Sequence, residues 1–238
     1  MIVKAADLIS ATSRSPYNMS FSHGDTVGAL DNRKSFLNGL GIDCRDLVCA
    51  RQVHGSQIRM VEESDKGKGA MNAESAFSDT DALITSKLNL PLAVFTADCL
   101  PVFLWDPFIP AIGLVHAGWR GTKELISLKA VQLMQSKYHT CVEDLRVSFG
   151  PAIRSCCYQV GENFKELFSY GLSSKDGRNY FDLVAENIRQ LKAIGVRDEF
   201  IQDSGICTVC NSQEFFSYRR QGPASGRMMS VAMLKASG

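Results

Sequence analysis

Three residues stand out for the chemistry their types and positions allow: His54, Cys99 and His116. The chain holds four histidines and eight cysteines in 238 residues, so imidazoles are scarce. His54 and His116 both lie near a glycine at the end of an apolar run, in QVHG and VHAG. Cys99 follows Asp98 where one apolar run stops and the next begins. Two imidazoles and one thiolate, with an open fourth position, make a catalytic zinc set. A thiol facing an imidazole can also be a nucleophile and its base, which leaves His54 spare. The plainest alternative is a buried cysteine beside a hydrogen-bonded core histidine.

The stretch 97–122, ADCLPVFLWDPFIPAIGLVHAGWRGT, positions two of the three. Residues 101–105 and 111–115 are short apolar runs either side of a proline-containing break, and both read as buried strands. Paired as a hairpin centred near 108, they bring Cys99 almost opposite His116. Beyond His116, Gly118 and Gly121 bracket Trp119 and Arg120, and Thr122 can cap a helix over 122–137. A glycine-rich turn into a helix start suits an anion, and Arg120 adds charge there.

The other elements follow in order. Asp31 can cap a helix that ends at Gly39 and Gly41. Residues 47–54 alternate as a strand with His54 at its tip, and 57–61 form a second strand. Residues 62–80 are a long polar loop, a length more often functional than neutral. Strands follow at 81–85, 92–95, 145–149 and 227–234, with helices near 162–169 and 182–193. Cys156 to Val160 reads as a short extended piece, as does the segment from Phe21 to His23. Hairpins outnumber strand–helix–strand crossovers, which favours an α+β fold over a doubly wound sheet. No repeat or linker divides the chain, so 1–238 reads as a single domain.

Composition excludes several roles. A net charge of +1 with dispersed charges gives no basic face for nucleic acid or a membrane surface. No apolar stretch approaches the roughly 20 residues that span a bilayer. The N-terminus lacks a signal-peptide core. Scattered cysteines in a chain this long point to a reduced, cytoplasmic protein. Cys207 and Cys210 have the spacing of a redox pair or metal knuckle. With no second such pair and no thioredoxin-like context, they and Cys156–Cys157 read as structural thiols. His23 sits in a loop that could line a cleft, His139 reads as a surface residue, and Arg219–Arg220 read as an exposed turn able to reach an anion.

Six motifs together carry a resemblance. RQVHG at 51–55, DALIT at 81–85, TADCLPV at 96–102, VHAGWRGT at 115–122, FGPAIRSCCYQVG at 149–161 and FFSYRRQG at 215–222 resemble the YfiH family. It is also called the laccase-domain, polyphenol oxidase or purine nucleoside phosphorylase family. The resemblance implies an α+β domain with a central sandwich of mixed β-sheets flanked by helices. It implies a metal held by His54, Cys99 and His116, zinc in current descriptions and copper in an older one. It also implies purine nucleoside and phosphate as substrates: phosphorolysis of adenosine, inosine, guanosine or methylthioadenosine, and deamination of adenosine. One departure stands near the N-terminus, where many members carry Arg-x-Gly-Gly-Val-Ser and this chain has ATSRSPYN. Four histidines cannot furnish a multicopper centre. For nucleoside chemistry, the motifs place Asp81 and Asp98 nearest as acid–base carboxylates, with a strand-capping role the alternative for Asp98. Arg120, then Arg51, are the candidate phosphate partners.

Overall fold

A computed structural model describes residues 7–235. The first six residues of the segment expected to carry no signal peptide, and 236–238, lie outside it. The strands are β1 (Asp7–Thr12), β2 (Val48–Cys49), β3 (Ile58–Met60), β4 (Ala82–Thr85), β5 (Leu92–Thr96), β6 (Leu100–Asp106) and β7 (Ala111–Ala117). They continue as β8 (Arg146–Phe149), β9 (Gln159–Val160), β10 (Leu172–Lys175), β11 (Arg178–Phe181), β12 (Ile201–Asp203) and β13 (Met228–Lys235). The helices are α1 (Ala29–Asn38), α2 (Trp119–Lys123), α3 (Ile126–Tyr138), α4 (Phe164–Leu167), α5 (Leu183–Ala193) and α6 (Tyr218–Gln221).

The architecture is α+β, built on two mixed sheets packed face to face. One has the order β1-β13-β5-β2 and the other β12-β8-β6-β7-β4-β3; a small β10-β11-β9 sheet stands apart from both. Side-chain alternation explains the layers. Leu92 and Val94 of β5, Ala232 and Leu234 of β13, and Ile112 and Leu114 of β7 fill the space between the sheets. The intervening Ala93, Val231 and Met233 face α1 on the outside, with Leu37 against them. Val102, Leu104 and Val115 face the other way, against Ala130 and Met134 of α3 and Leu191 of α5. Strands buried on both faces read as continuous apolar runs, and this is why 101–105 and 111–115 are so plain in the sequence.

The β6–β7 hairpin forms as expected, with Pro101 paired to His116 and Leu100 to Ala117. Carried one pair further, that register sets Cys99 opposite Gly118, one residue beyond the position a centre at 108 implies and two beyond His116. Gly118 has no side chain for a reason: a Cβ there would lie 3.1 Å from the Cys99 sulfur and 3.3 Å from His54 Cδ2.

Several expectations change. Residues 47–54 hold only the two-residue β2; from Arg51 the chain leaves the sheet, and His54 adopts a left-handed φ of 61°. Thr122 caps nothing. It is fully buried inside α2, its hydroxyl accepts from Asn187 Nδ2 at 3.0 Å, and Gly118 starts that helix. A left-handed Leu125 at φ 63° then separates α2 from α3. Gly28 precedes α1, and Asp31 sits within its first turn. The helix expected over 162–169 shrinks to α4, Cys156–Cys157 lie in a turn, and 21–23 are bends. β1 and the β10–β11 hairpin were not anticipated. The hairpin's Asp176–Gly177 turn, with φ of 50° and 70°, is a signal the sequence does carry.

Candidate metal centre and its cleft

His54, Cys99 and His116 converge. One ligand atom from each lies within 4.8 Å of the others. They come from the loop after β2, the residue before β6 and the end of β7, so only the sheet brings them together. Burial grades across the set: His54 is exposed, Cys99 half-buried and His116 buried. The two imidazoles meet edge to face with centroids 4.9 Å apart.

Asp81 organises this cluster from behind. It is fully buried and stands just before β4. Its Oδ1 accepts from the His54 N–H at 2.9 Å and from His116 Nδ1 at 2.8 Å. Its Oδ2 accepts from the N–H groups of Gly55 at 2.8 Å and Val53 at 3.2 Å. The loop carrying His54 is thus wrapped around one carboxylate, and the same carboxylate turns His116 Nε2 toward Cys99. Both oxygens are engaged and neither lines the cleft. Asp81 thus holds the His116 ring and the 53–55 backbone together.

The charges fit that arrangement. Burial pushes the Cys99 thiol up, but the imidazoles of His116 and His54 outweigh it and bring it down to about 6. Burial also opposes a charged His116, yet the Cys99 thiolate and Asp81 hold it up to about 9. Asp81 is held below the usual carboxylate range, because His116 and the backbone N–H groups outweigh its burial. A thiolate held between two imidazoles is a donor set that borderline-soft zinc accepts. No methionine among the described residues lines the cleft to serve as the weak axial ligand of a blue-copper site.

Asp98 is also spoken for. Its Oδ1 accepts from the Thr208 hydroxyl at 2.6 Å, and its Oδ2 from the Ser217 hydroxyl at 3.0 Å and the Arg219 N–H at 2.7 Å. Its φ is 91°, a backbone conformation these bonds hold in place. Asp98 thus ties the start of β6 to the 208–219 segment.

The cluster lies in a cleft of about 820 Å³, within the ~300–1,000 Å³ usual for small-molecule sites. Phe21, Phe95, Trp119 and Tyr158 supply aromatic surface. Five arginines reach it, and their bonding separates them. Arg33 donates to the carbonyls of Met19, Gly69 and Ala70, Arg219 to those of Cys157 and Gln159, and Arg227 to those of Ser225 and Gly226. Arg51 and Arg120 make no side-chain hydrogen bond or ion pair among the described residues; Arg120 lies over the Trp119 ring at 4.7 Å. With only five residues, α2 adds little dipole, so any anion affinity here rests on the guanidinium groups. His23 lines the cleft as well, with Nδ1 3.3 Å from the Ser20 hydroxyl. His139 lies outside it, at the end of α3. The long 62–80 loop also borders the cleft, through Gly69, Ala73 and Ala76. Arg33, Arg227 and the aromatic wall were missed in the sequence, because nothing in their spacing separates them from core or surface residues.

The family model described as multi-copper polyphenol oxidoreductase laccase matches residues 6–235. The chain belongs to this family. Laccase-family relatives carry other names. Purine nucleoside phosphorylase YlmD of Geobacillus stearothermophilus is 35% identical over 222 residues, covering 89% of this chain and 81% of its own. Adenosine deaminase RL5, from an unknown prokaryotic organism, is 34% identical over 212 residues, covering 85% and 80%. The crystal structure of Geobacillus YlmD superposes with a TM-score of 0.91 at 31% identity, covering 98% of this chain and 93% of that one. Bacillus licheniformis YfiH gives 0.88 at 32% identity, covering 97% and 92%. No helix among the described residues of this laccase-family chain is long and apolar enough to cross a membrane.

The Asp81 arrangement makes a prediction. Asp81→Asn keeps the shape but sets an amide NH2 against N–H donors, so His116 loses its fixed orientation. Metal affinity at the three-ligand site is expected to fall ~10- to 100-fold, the usual cost of losing such an outer partner. Competition with a chelator measures it. Unchanged affinity in the folded variant would remove the positioning role.

Proposed function

We propose that this chain is a zinc enzyme of purine nucleosides, acting as one catalytic domain across 1–238 in the reducing cytoplasm. Its reactions are cleavage of adenosine, inosine, guanosine or methylthioadenosine by phosphate, and deamination of adenosine. The observation that carries the reading is the convergence of His54, Cys99 and His116 in an aromatic-walled cleft that also holds two guanidinium groups, of Arg51 and Arg120, unpaired among the described residues. The names of the YlmD and RL5 relatives support it.

His54, Cys99 and His116 would hold the metal, with Asp81 fixing two of them. Bound there, zinc supplies Lewis acidity that makes water a usable nucleophile near neutral pH. The aromatic side chains cover the faces of a purine and exclude water from it. Arg120 and Arg51 bind the phosphate dianion and hold it toward C1′ of the ribose. In phosphorolysis a phosphate oxygen bonds to C1′ as the bond from C1′ to the base nitrogen breaks, and the base leaves with that electron pair. Both oxygens of Asp81 and of Asp98 already accept hydrogen bonds from protein groups, which supports holding roles for them rather than proton transfer.

One observation favours a second reading. Asp81, His116 and Cys99 stand in the order of an acid, base and nucleophile triad, and a metal-free cysteine hydrolase could use them so. A copper polyphenol oxidase is the third.

A nucleoside panel with and without phosphate, with chromatography of the products, tests the proposal. Inosine should yield hypoxanthine only when phosphate is present. Adenosine should yield inosine without it. If neither reaction occurs in metal-replete protein while esters or phenols turn over, the nucleoside reading is wrong.

A further inference from the structure

The structure gathers four cysteines that the sequence keeps in two separate places. Cys156 and Cys157 lie on the turn before β9, and Cys207 and Cys210 on a turn after β12. Their four sulfurs lie within 4.8 Å of one another. Cys210 Sγ is 3.8 Å from Cys156 Sγ and 3.4 Å from Cys157 Sγ. In a tetrahedron with zinc–sulfur bonds of ~2.3 Å, neighbouring sulfurs stand ~3.8 Å apart. All four thiols are free.

The two turns are fastened to each other before any ion arrives. Ala152 and Cys207 form a parallel bridge, and the Thr208 N–H donates to the Ala152 carbonyl at 3.1 Å. Arg154 donates to the Ile206 carbonyl and holds Asp203 through two bonds of 2.6 and 2.7 Å. After Cys207 the chain turns over 208–210, and the Asn211 N–H donates to the Cys207 carbonyl at 3.0 Å. Positive charge is at hand. Arg219 donates to the Cys157 and Gln159 carbonyls, and Arg220 to those of Thr208 and Val209.

We propose that Cys156, Cys157, Cys207 and Cys210 form a second metal site, a closed four-thiolate zinc centre with a structural role. On binding, four thiols release four protons to solvent and four sulfur–zinc bonds form, leaving a dianionic centre that the flanking arginines offset. With four protein ligands, no position stays open for substrate. The site joins two walls of the cleft. Tyr158 follows the first pair directly, and Thr208, inside the second pair, holds Asp98 beside Cys99. The inference does not rest on the proposed reaction, and it goes beyond the reading of these cysteines as plain structural thiols.

Cobalt(II) substitution under reducing conditions tests it in the Cys99→Ala variant. With Cys99 gone, sulfur-to-cobalt charge-transfer absorption can come only from the other thiols. An intense four-thiolate band is expected, and it should vanish in a variant that also carries Cys207→Ser and Cys210→Ser. Wild-type protein purified without added metal should hold about one zinc more than its Cys207→Ser, Cys210→Ser counterpart. If the serine variants do not fold, the Cys99→Ala spectrum alone decides. Absence of a thiolate band in the reduced, cobalt-loaded Cys99→Ala protein overturns the proposal. So does an intact mass showing these cysteines as disulfides in freshly purified wild type. Loss of the nucleoside activities with the four-thiolate band intact would fault only the proposed function.

Discussion

Alanine at His54, Cys99 or His116 is expected to strip most of the metal from the cleft and, with it, both nucleoside reactions. Losing an outer partner such as Asp81 costs ~10- to 100-fold in metal affinity, and losing a ligand should cost more. The three variants should differ in stability, because burial differs across the set. His54 is exposed, so His54→Ala should lose metal while its unfolding midpoint hardly moves. His116 is 2% exposed and pairs with the fully buried Asp81. Its removal leaves a buried carboxylate one partner short, and breaking such pairs costs ~3–5 kcal/mol. Asp81 keeps three backbone N–H bonds, so the lower end is expected. Zinc is measured as the difference from wild type, so that metal on the cysteine cluster cancels. If all three variants keep full zinc and turnover, the ligand assignment fails.

Arg120→Ala is expected to separate the two reactions. Its guanidinium lies over the Trp119 ring and meets no carboxylate among the described residues. The competing idea, that Arg120 pairs with an acid to fix the turn, therefore has no partner among the described residues. One lost charge-assisted hydrogen bond costs ~1.5–3 kcal/mol, so phosphate-dependent cleavage of inosine should fall roughly 10- to 150-fold. Deamination of adenosine uses no phosphate and should fall much less. Arg120→Lys keeps the charge but loses the fork geometry, and should recover only part of the loss. An equal fall in both reactions of the folded, zinc-loaded variant, or a fall in neither, would end the phosphate role.

The sequence by itself determined a good deal. The β6 and β7 runs are legible because strands covered on both faces have no polar alternation to blur them. The three candidate ligands stood out because imidazoles are few and each lies where an apolar run ends. The motif set carried the family. What the sequence left open is what depends on contact between distant segments. Asp81 looks like a catalytic acid when read along the chain. Only the folded loop shows its two oxygens filled by His116 and three backbone N–H groups. Asp98 is the same case, with Thr208, Ser217 and Arg219 arriving from more than a hundred residues away. Thr122 reads as a cap because it is a threonine before a helical period, and its hydroxyl goes instead to Asn187 on α5. Arg51 and Arg120 look no different from Arg33 or Arg227 as letters. Whether a guanidinium is free or spent on carbonyls is decided by which loops fold beside it. The cysteines show this most directly. The local spacing of Cys207 and Cys210 cannot reveal that Cys156 and Cys157, some fifty residues earlier, bring their sulfurs within 4.8 Å of theirs. Spacing along one chain reports only what one segment can do, whereas a site made from two needs the tertiary fold to bring their side chains within bonding reach.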